Sequence, residues 1–123
     1  MNENEISGKI IGLAIEVHRA LGPGLLESAY KECLYHKLIQ SELKSEKVKP
    51  IPLVYEKVKL DCGYRIDILV ENKIVLEIKS IEAFNDVHIA QILTYMKLGG
   101  FRLGLLINFN VSVLKDGIRR YVL

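Results

Sequence analysis

A chain of 123 residues, 50% hydrophobic and 26% charged, has the length of one domain, predicted over residues 1–123, and a composition that excludes disorder and low complexity. Seventeen Lys and Arg against fifteen Asp and Glu leave a net charge of +2, so any nucleic-acid surface must come from local clustering. No apolar run approaches the roughly 20 residues of a bilayer span, and the opening MNENEISGK is acidic and polar, which predicts no membrane partner and a cytoplasmic location.

From about Asn4 to Leu21 the apolar residues Ile10, Leu13, Ala14, Val17 and Leu21 follow helical spacing. Gly22-Pro23-Gly24 stops this helix, and a second begins at once, with Leu26, Tyr30, Cys33, Leu34 and Leu38 as its stripe and an end near Ser41. KVKPIPLVYEKVKL reads as one strand that either lies at an edge or starts after Pro52, because neither Pro50 nor Pro52 can donate to a ladder. After a turn near Asp61 and Gly63, YRIDILVENKIVLEIKS (Tyr64–Ser80) reads as a hairpin. FNDVHIAQILTYMKLGG is a third helix, with Asn85 or Asp86 as N-cap and Gly99 as its stop. RLGLLINF, from Arg102 to Phe109, is apolar enough for a strand at the sheet centre, and VSVLKDGIRRYVL reads as a terminal hairpin turning at Asp116 and Gly117. A helix leading from strand to strand favours a mixed sheet with a right-handed crossover, so the predicted class is α/β. Cys33 and Cys62 lack CxxC spacing and are each expected as small buried apolar residues. A surface or capping role is expected for His18, His36 and His88.

The hairpin at Tyr64–Ser80 carries charges inside its strands. By alternation Arg65, Asp67 and Leu69 share one face against Tyr64, Ile66, Ile68 and Val70, while Val75, Glu77 and Lys79 share a face against Ile74, Leu76 and Ile78. A loop of Glu71, Asn72 and Lys73 opposes Asp67 to Glu77, whereas a two-residue loop would set Asp67 against the apolar side. Facing carboxylates at roughly 5 Å between β carbons repel unless a cation lies between them. Lys79 is one candidate and a divalent metal the other, and oxygen donors without His or Cys suit Mg²⁺ or Mn²⁺. A solvated ladder with Arg65 and Lys79 accounts for the same residues.

Two further motifs stand beside it. GLLESAY places Gly24, Glu27 and Tyr30 at the start of the second helix, where an acidic side chain also favours the helix N-terminus by roughly 0.3 to 1 kcal/mol. HIAQILTYM sets His88, Gln91 and Tyr95 along one polar stripe, as an ordinary solvated face would. Together LGPGLLESAY, YRIDILVENKIVLEIKS, HIAQILTYMKLGG and LGLLINF resemble the GxxExxY family, small prokaryotic proteins of the PD-(D/E)XK nuclease superfamily, over about Ile10 to Phe109.

The resemblance implies a restriction-endonuclease-like core, a mixed β-sheet flanked by helices in the order α-α-β-β-β-α-β plus the C-terminal hairpin. It puts Asp67, Glu77 and Lys79 in the D…E-x-K positions, Glu27 in the acidic position of the early helix, and Gln91 with Tyr95 in a Q-x-x-x-Y motif. Ile66 stands where the superfamily's name has proline, a residue that ligates nothing. Phosphodiester hydrolysis is the implied activity, with Asp67, Glu77 and the Ile78 carbonyl holding Mg²⁺ or Mn²⁺, Glu27 completing the shell directly or through water, Lys79 orienting or helping to deprotonate the attacking water, and Gln91 and Tyr95 positioning the scissile phosphate or the flanking backbone. Lys57, Lys59, Arg65 and Arg102 are candidate phosphate contacts, with solvated surface charge the competing reading of any single one. The implied partner is nucleic acid, DNA ahead of RNA, with a homodimer or partner protein to enlarge the binding surface. The alternative is a non-cleaving nucleic-acid-binding or protein-interaction module on the same fold.

Overall fold

The computed structural model describes all residues from Met1 to Leu123. Helix α1 spans Glu3–Leu21, with Asn2 and Glu5 forming a reciprocal cap at its start, and α2 spans Glu27–Gln40. The buried stripe of α1 begins earlier than the sequence suggests, at Ile6, and Leu21 is exposed because the chain is already turning into Gly22. Leu26 is likewise outside the stripe of α2, as its exposed N-cap, while Tyr30, Leu34 and Leu38 are buried.

The segment read as one strand is three. Strand β1 (Ser45–Pro50) lies at the edge of the main sheet, and β2 (Leu53–Tyr55) and β3 (Val58–Leu60) form a separate two-stranded ribbon. Pro50 ends β1, and the ribbon turns at Glu56 and Lys57, both at positive φ (50° and 67°). Strands β4 (Arg65–Val70) and β5 (Ile74–Lys79) form the expected hairpin, and α3 (Asp86–Gly99) leads to β6 (Leu103–Asn108). Helix α3 ends at Gly99, the expected stop, and its cap is the next residue, Gly100, at φ 72°. The terminal hairpin is corrected too: Val111–Val113 form no strand, a 3₁₀ turn spans Leu114–Gly117, and β7 (Ile118–Val122) returns along β6.

The sheet order is β1-β4-β5-β6-β7, antiparallel throughout except for the parallel pair β5 and β6 joined by α3. The sheet centre is therefore β5 rather than β6, although every residue of β6 is buried. On one face α1 and α2 pack Ile10, Ala14, Tyr30, Leu34 and Leu38 against Ile68, Leu76, Leu105 and Ile107. On the other, α3 packs Ile92, Tyr95 and Met96 against Leu69, Val75 and Leu106. The result is a three-layer α/β arrangement, and no helix is long and apolar enough to cross a membrane. Cys33 is only half-buried and Cys62 is exposed in the loop before β4, so neither is a core residue. His18 is also no surface residue: it is 6% exposed and its Nε2–H donates to the Val111 carbonyl at 2.8 Å, which ties α1 to the segment after β6.

Candidate functional site

The hairpin register sets the site. Ile68 pairs with Leu76, Leu69 with Val75 and Val70 with Ile74, which leaves the predicted three-residue loop of Glu71, Asn72 and Lys73. Glu71 and Asn72 both take positive φ (53° and 54°), and the Lys73 N–H closes the turn on the Val70 carbonyl at 3.0 Å. Regular main-chain pairing stops after Ile68 and Leu76. At the next level the carboxylates replace the carbonyls: Glu77 Oε2 accepts the Asp67 N–H at 2.9 Å, and Asp67 Oδ2 accepts the Ile78 N–H at 2.8 Å. Each carboxylate is thus fixed by the opposite strand through one oxygen.

The second oxygens of the pair accept no protein hydrogen bond, and no buried side-chain polar atom lacks a partner, so these oxygens reach accessible surface. Strand β4 also turns over here. Ile66 packs with Ile51 and Tyr95 on the α3 side instead of sharing a face with Ile68, as alternation predicts. The break falls at Asp67, opposite Val48, whose φ is 52°. The charges therefore lie where the sheet opens rather than on a regular ladder.

Burial raises the pKa of Asp67, and burial together with the Asp67 charge pushes Glu77 up to about 8 from an ordinary 4.5. Glu77 is 3% exposed. Lys79 and Lys31 both oppose these shifts, whereas Glu27 adds to that of Asp67. Lys31 lies four residues after Glu27, on the same side of α2. Helical spacing alone could have flagged it, but it reads there as ordinary solvated charge. On α3, Gln91 Nε2 donates to Tyr95 Oη at 3.0 Å, and Gln91 Oε1 stands 3.5 Å from Lys79 Nζ. Desolvation raises the Tyr95 pKa, with the charges of Glu77 and Asp67 adding to it.

Asp67, Glu77, Lys79, Gln91 and Tyr95 are accordingly linked across β4, β5 and α3. Glu27 acts on Asp67 as a charge, but no three of the His, Cys, Asp and Glu side chains gather into a metal-holding cluster. The donor set still suits a hard divalent ion: two carboxylates with open oxygens, both raised in pKa chiefly by burial, and no His or Cys between them. Ile78, whose N–H is taken by Asp67, has a carbonyl between Glu77 and Lys79 in the chain.

Tyr30 serves a different purpose from the others. Its hydroxyl donates to the Gly22 carbonyl at 2.5 Å and accepts the Leu25 N–H at 3.1 Å, while its ring stacks on Phe109 at 4.6 Å. It fixes the loop that delivers Glu27, and Ser80 Oγ bonds the Leu25 carbonyl at 2.6 Å to bring the end of β5 against that loop. Asn108, 3% exposed beside Lys79, accepts the Ile81 N–H and donates to the Ile81 carbonyl. A lone Asn in an apolar strand signals such a bond, yet the run RLGLLINF hides it. His88 caps α3, its Nδ1 accepting the Asn85 N–H at 3.1 Å.

Of the candidate phosphate contacts, Arg65 is held 3.2 Å from Asp61, Lys57 and Lys59 lie on the β2–β3 ribbon, and Arg102 sits at the opposite end of the sheet beside Lys73. A more apolar groove of about 370 Å³ between α1 and α2, lined by Glu16, Val17, Leu21, Cys33 and His36 among others, contains none of the candidate residues.

A family profile described as the PD-(D/E)XK nuclease superfamily matches residues 4–121. The chain belongs to the PD-(D/E)XK nuclease superfamily. Its mixed sheet flanked by helices agrees with the restriction-endonuclease-like fold of that superfamily, whose nucleases act on nucleic acid and typically use divalent metals. No curated protein and no solved structure matches the chain significantly.

Proposed function

We propose that this PD-(D/E)XK protein is a metal-dependent nuclease of the GxxExxY type, with Asp67 and Glu77 as its metal-holding carboxylates. The observation that carries the reading is the mutual clamp of this pair at the break in the β4–β5 ladder, with Lys79 one residue beyond the Ile78 that Asp67 binds. Asp67 and Glu77, with the Ile78 carbonyl and water, would hold Mg²⁺ or Mn²⁺, and Glu27 would act on that shell through water. Such an ion neutralises phosphate charge and lowers the pKa of a water molecule at the site.

The chain's own groups supply the rest. Lys79 orients the attacking water and offsets the charge that develops on the phosphate. Gln91 holds Lys79 on one side and Tyr95 on the other, so the two helical residues align the backbone next to the scissile bond. DNA is preferred over RNA in this reading, and a second copy or a partner protein extends a small binding surface. A monomer in sedimentation at micromolar concentration would count against the second copy.

The second reading, a non-cleaving nucleic-acid-binding module, draws on the lack of a third carboxylate clustered with the pair. Incubation with single- and double-stranded DNA and RNA, in Mg²⁺, Mn²⁺ or EDTA, separates them. Cleavage in metal and none in EDTA is expected; binding without cleavage under every metal condition would favour the module.

A further inference from the structure

We propose that the recess beside Gln91 and Tyr95 receives one unpaired nucleobase adjacent to the scissile phosphate, which makes single-stranded nucleic acid the preferred substrate. The inference rests on the nuclease reading and narrows its substrate.

The recess has a volume of about 320 Å³ and is lined by Tyr64, Val87, Ala90, Gln91, Thr94 and Tyr95. Val87, Ala90, Gln91 and Thr94 follow the i, i+3, i+4, i+7 spacing of one face of α3, and Tyr64 closes it from the segment leading into β4. Val87 is 73% exposed and Tyr64 37% exposed, so apolar surface is left in water beside the half-buried Asp67 and the buried Glu77. The lining carries no ionisable acid or base apart from its tyrosines. A phosphate or an acidic peptide would find no counter-charge there, whereas a flat, uncharged ring with a polar edge would find an aromatic wall, aliphatic floor and an amide.

The placement joins the recess to the chemistry. Tyr64 lies three residues before Asp67, and its carbonyl is held by the Ile51 N–H at 3.0 Å and by Arg65 Nη1 at 2.9 Å. Its ring leans on Tyr95 at 6.0 Å between centroids and 58° between planes. Gln91 belongs to both places, lining the recess and standing 3.5 Å from Lys79 Nζ. A strand with its phosphate at Asp67, Glu77 and Lys79 would therefore bring the neighbouring base to Tyr64. A base stacked in a duplex could enter only after leaving the stack, which favours single strands.

The test is steady-state cleavage of single-stranded and duplex DNA with Mg²⁺, including strands with an abasic nucleotide at successive positions. Wild type should prefer the single strand and lose efficiency when one particular position beside the cut is abasic. Tyr64→Ala should raise KM roughly 5- to 100-fold, Tyr64→Phe should leave it nearly unchanged, and the abasic strand should add little to Tyr64→Ala. Val87→Glu, at an exposed position, should raise KM on the intact strand without changing the melting temperature. Tyr64→Ala with unaltered KM and full sensitivity to the abasic site, or equal cleavage of duplex, would overturn the proposal while leaving the nuclease standing. Failure of wild type to cut any strand would overturn both. Tyr64→Ala that cuts normally but sediments differently would make the patch a protein interface and also overturn it.

Discussion

At Glu77 the environment and the charge disagree. A carboxyl whose folded pKa is raised contributes stability that is fully present below its unfolded value, here about 4.5, and lost as pH rises through the folded value near 8. Metal-free protein should therefore lose stability between pH 5 and pH 8.5 through this group, and Asp67, also raised, contributes in the same direction. Glu77→Gln removes the ionisation, so the variant should match wild type at pH 5 more nearly than at pH 8.5, where it should melt higher. Parallel melting curves across that range would show that the pair carries no such penalty. Much of this was legible beforehand: period-two alternation and the burial of Ile74, Leu76 and Val70 fix the Asp67–Glu77 register, since any one-residue slip would bury a carboxylate among them. The exchange of side-chain oxygens for ladder carbonyls was not, because it depends on where main-chain pairing stops. Nor was the influence of Lys31, which reads as ordinary surface charge until α2 is docked.

At the scale of elements, two supports hold the site in place. Asn85 accepts the N–H groups of Val87 and His88 at the start of α3, the helix that carries Gln91 and Tyr95. Asn85→Ala should destabilise by about 1 kcal/mol in denaturant melts, and a change below about 0.2 kcal/mol would mean that the cap is dispensable. Tyr30→Phe keeps the stack on Phe109 but removes both bonds that hold the Gly22–Leu25 loop. It should cost about 1 kcal/mol, and faster amide exchange at Leu25 would be the local signature. The helices were readable because caps and apolar stripes are local signals. The β2–β3 ribbon was not, since Glu56 and Lys57 occupy positive-φ turn positions where glycine or asparagine would be the usual sign. The return of β7 along β6 was hidden for a related reason: Val111 and Val113 look like strand residues, yet β6 already has its second neighbour once Ile118–Val122 pairs there.

For the whole molecule, the three layers converge on one end of the sheet, where α2, the β4–β5 hairpin and α3 each bring a charged or polar group. A metal held there binds the folded chain and not the unfolded one. Mg²⁺ or Mn²⁺ at 100 times its Kd should then stabilise wild type by about 2.7 kcal/mol, a rise of several degrees in melting temperature, and Asp67→Asn should abolish the shift. An equal rise in both proteins would place the ion elsewhere. The central claim, that Asp67, Glu77 and Lys79 form a phosphodiester-cleaving centre, is tested most directly by single-turnover cleavage of labelled DNA in Mg²⁺ by wild type, Asp67→Asn and Lys79→Ala, each shown to melt cooperatively. Wild type should cleave and both variants should lose at least about 100-fold; cleavage that survives both substitutions would contradict that assignment.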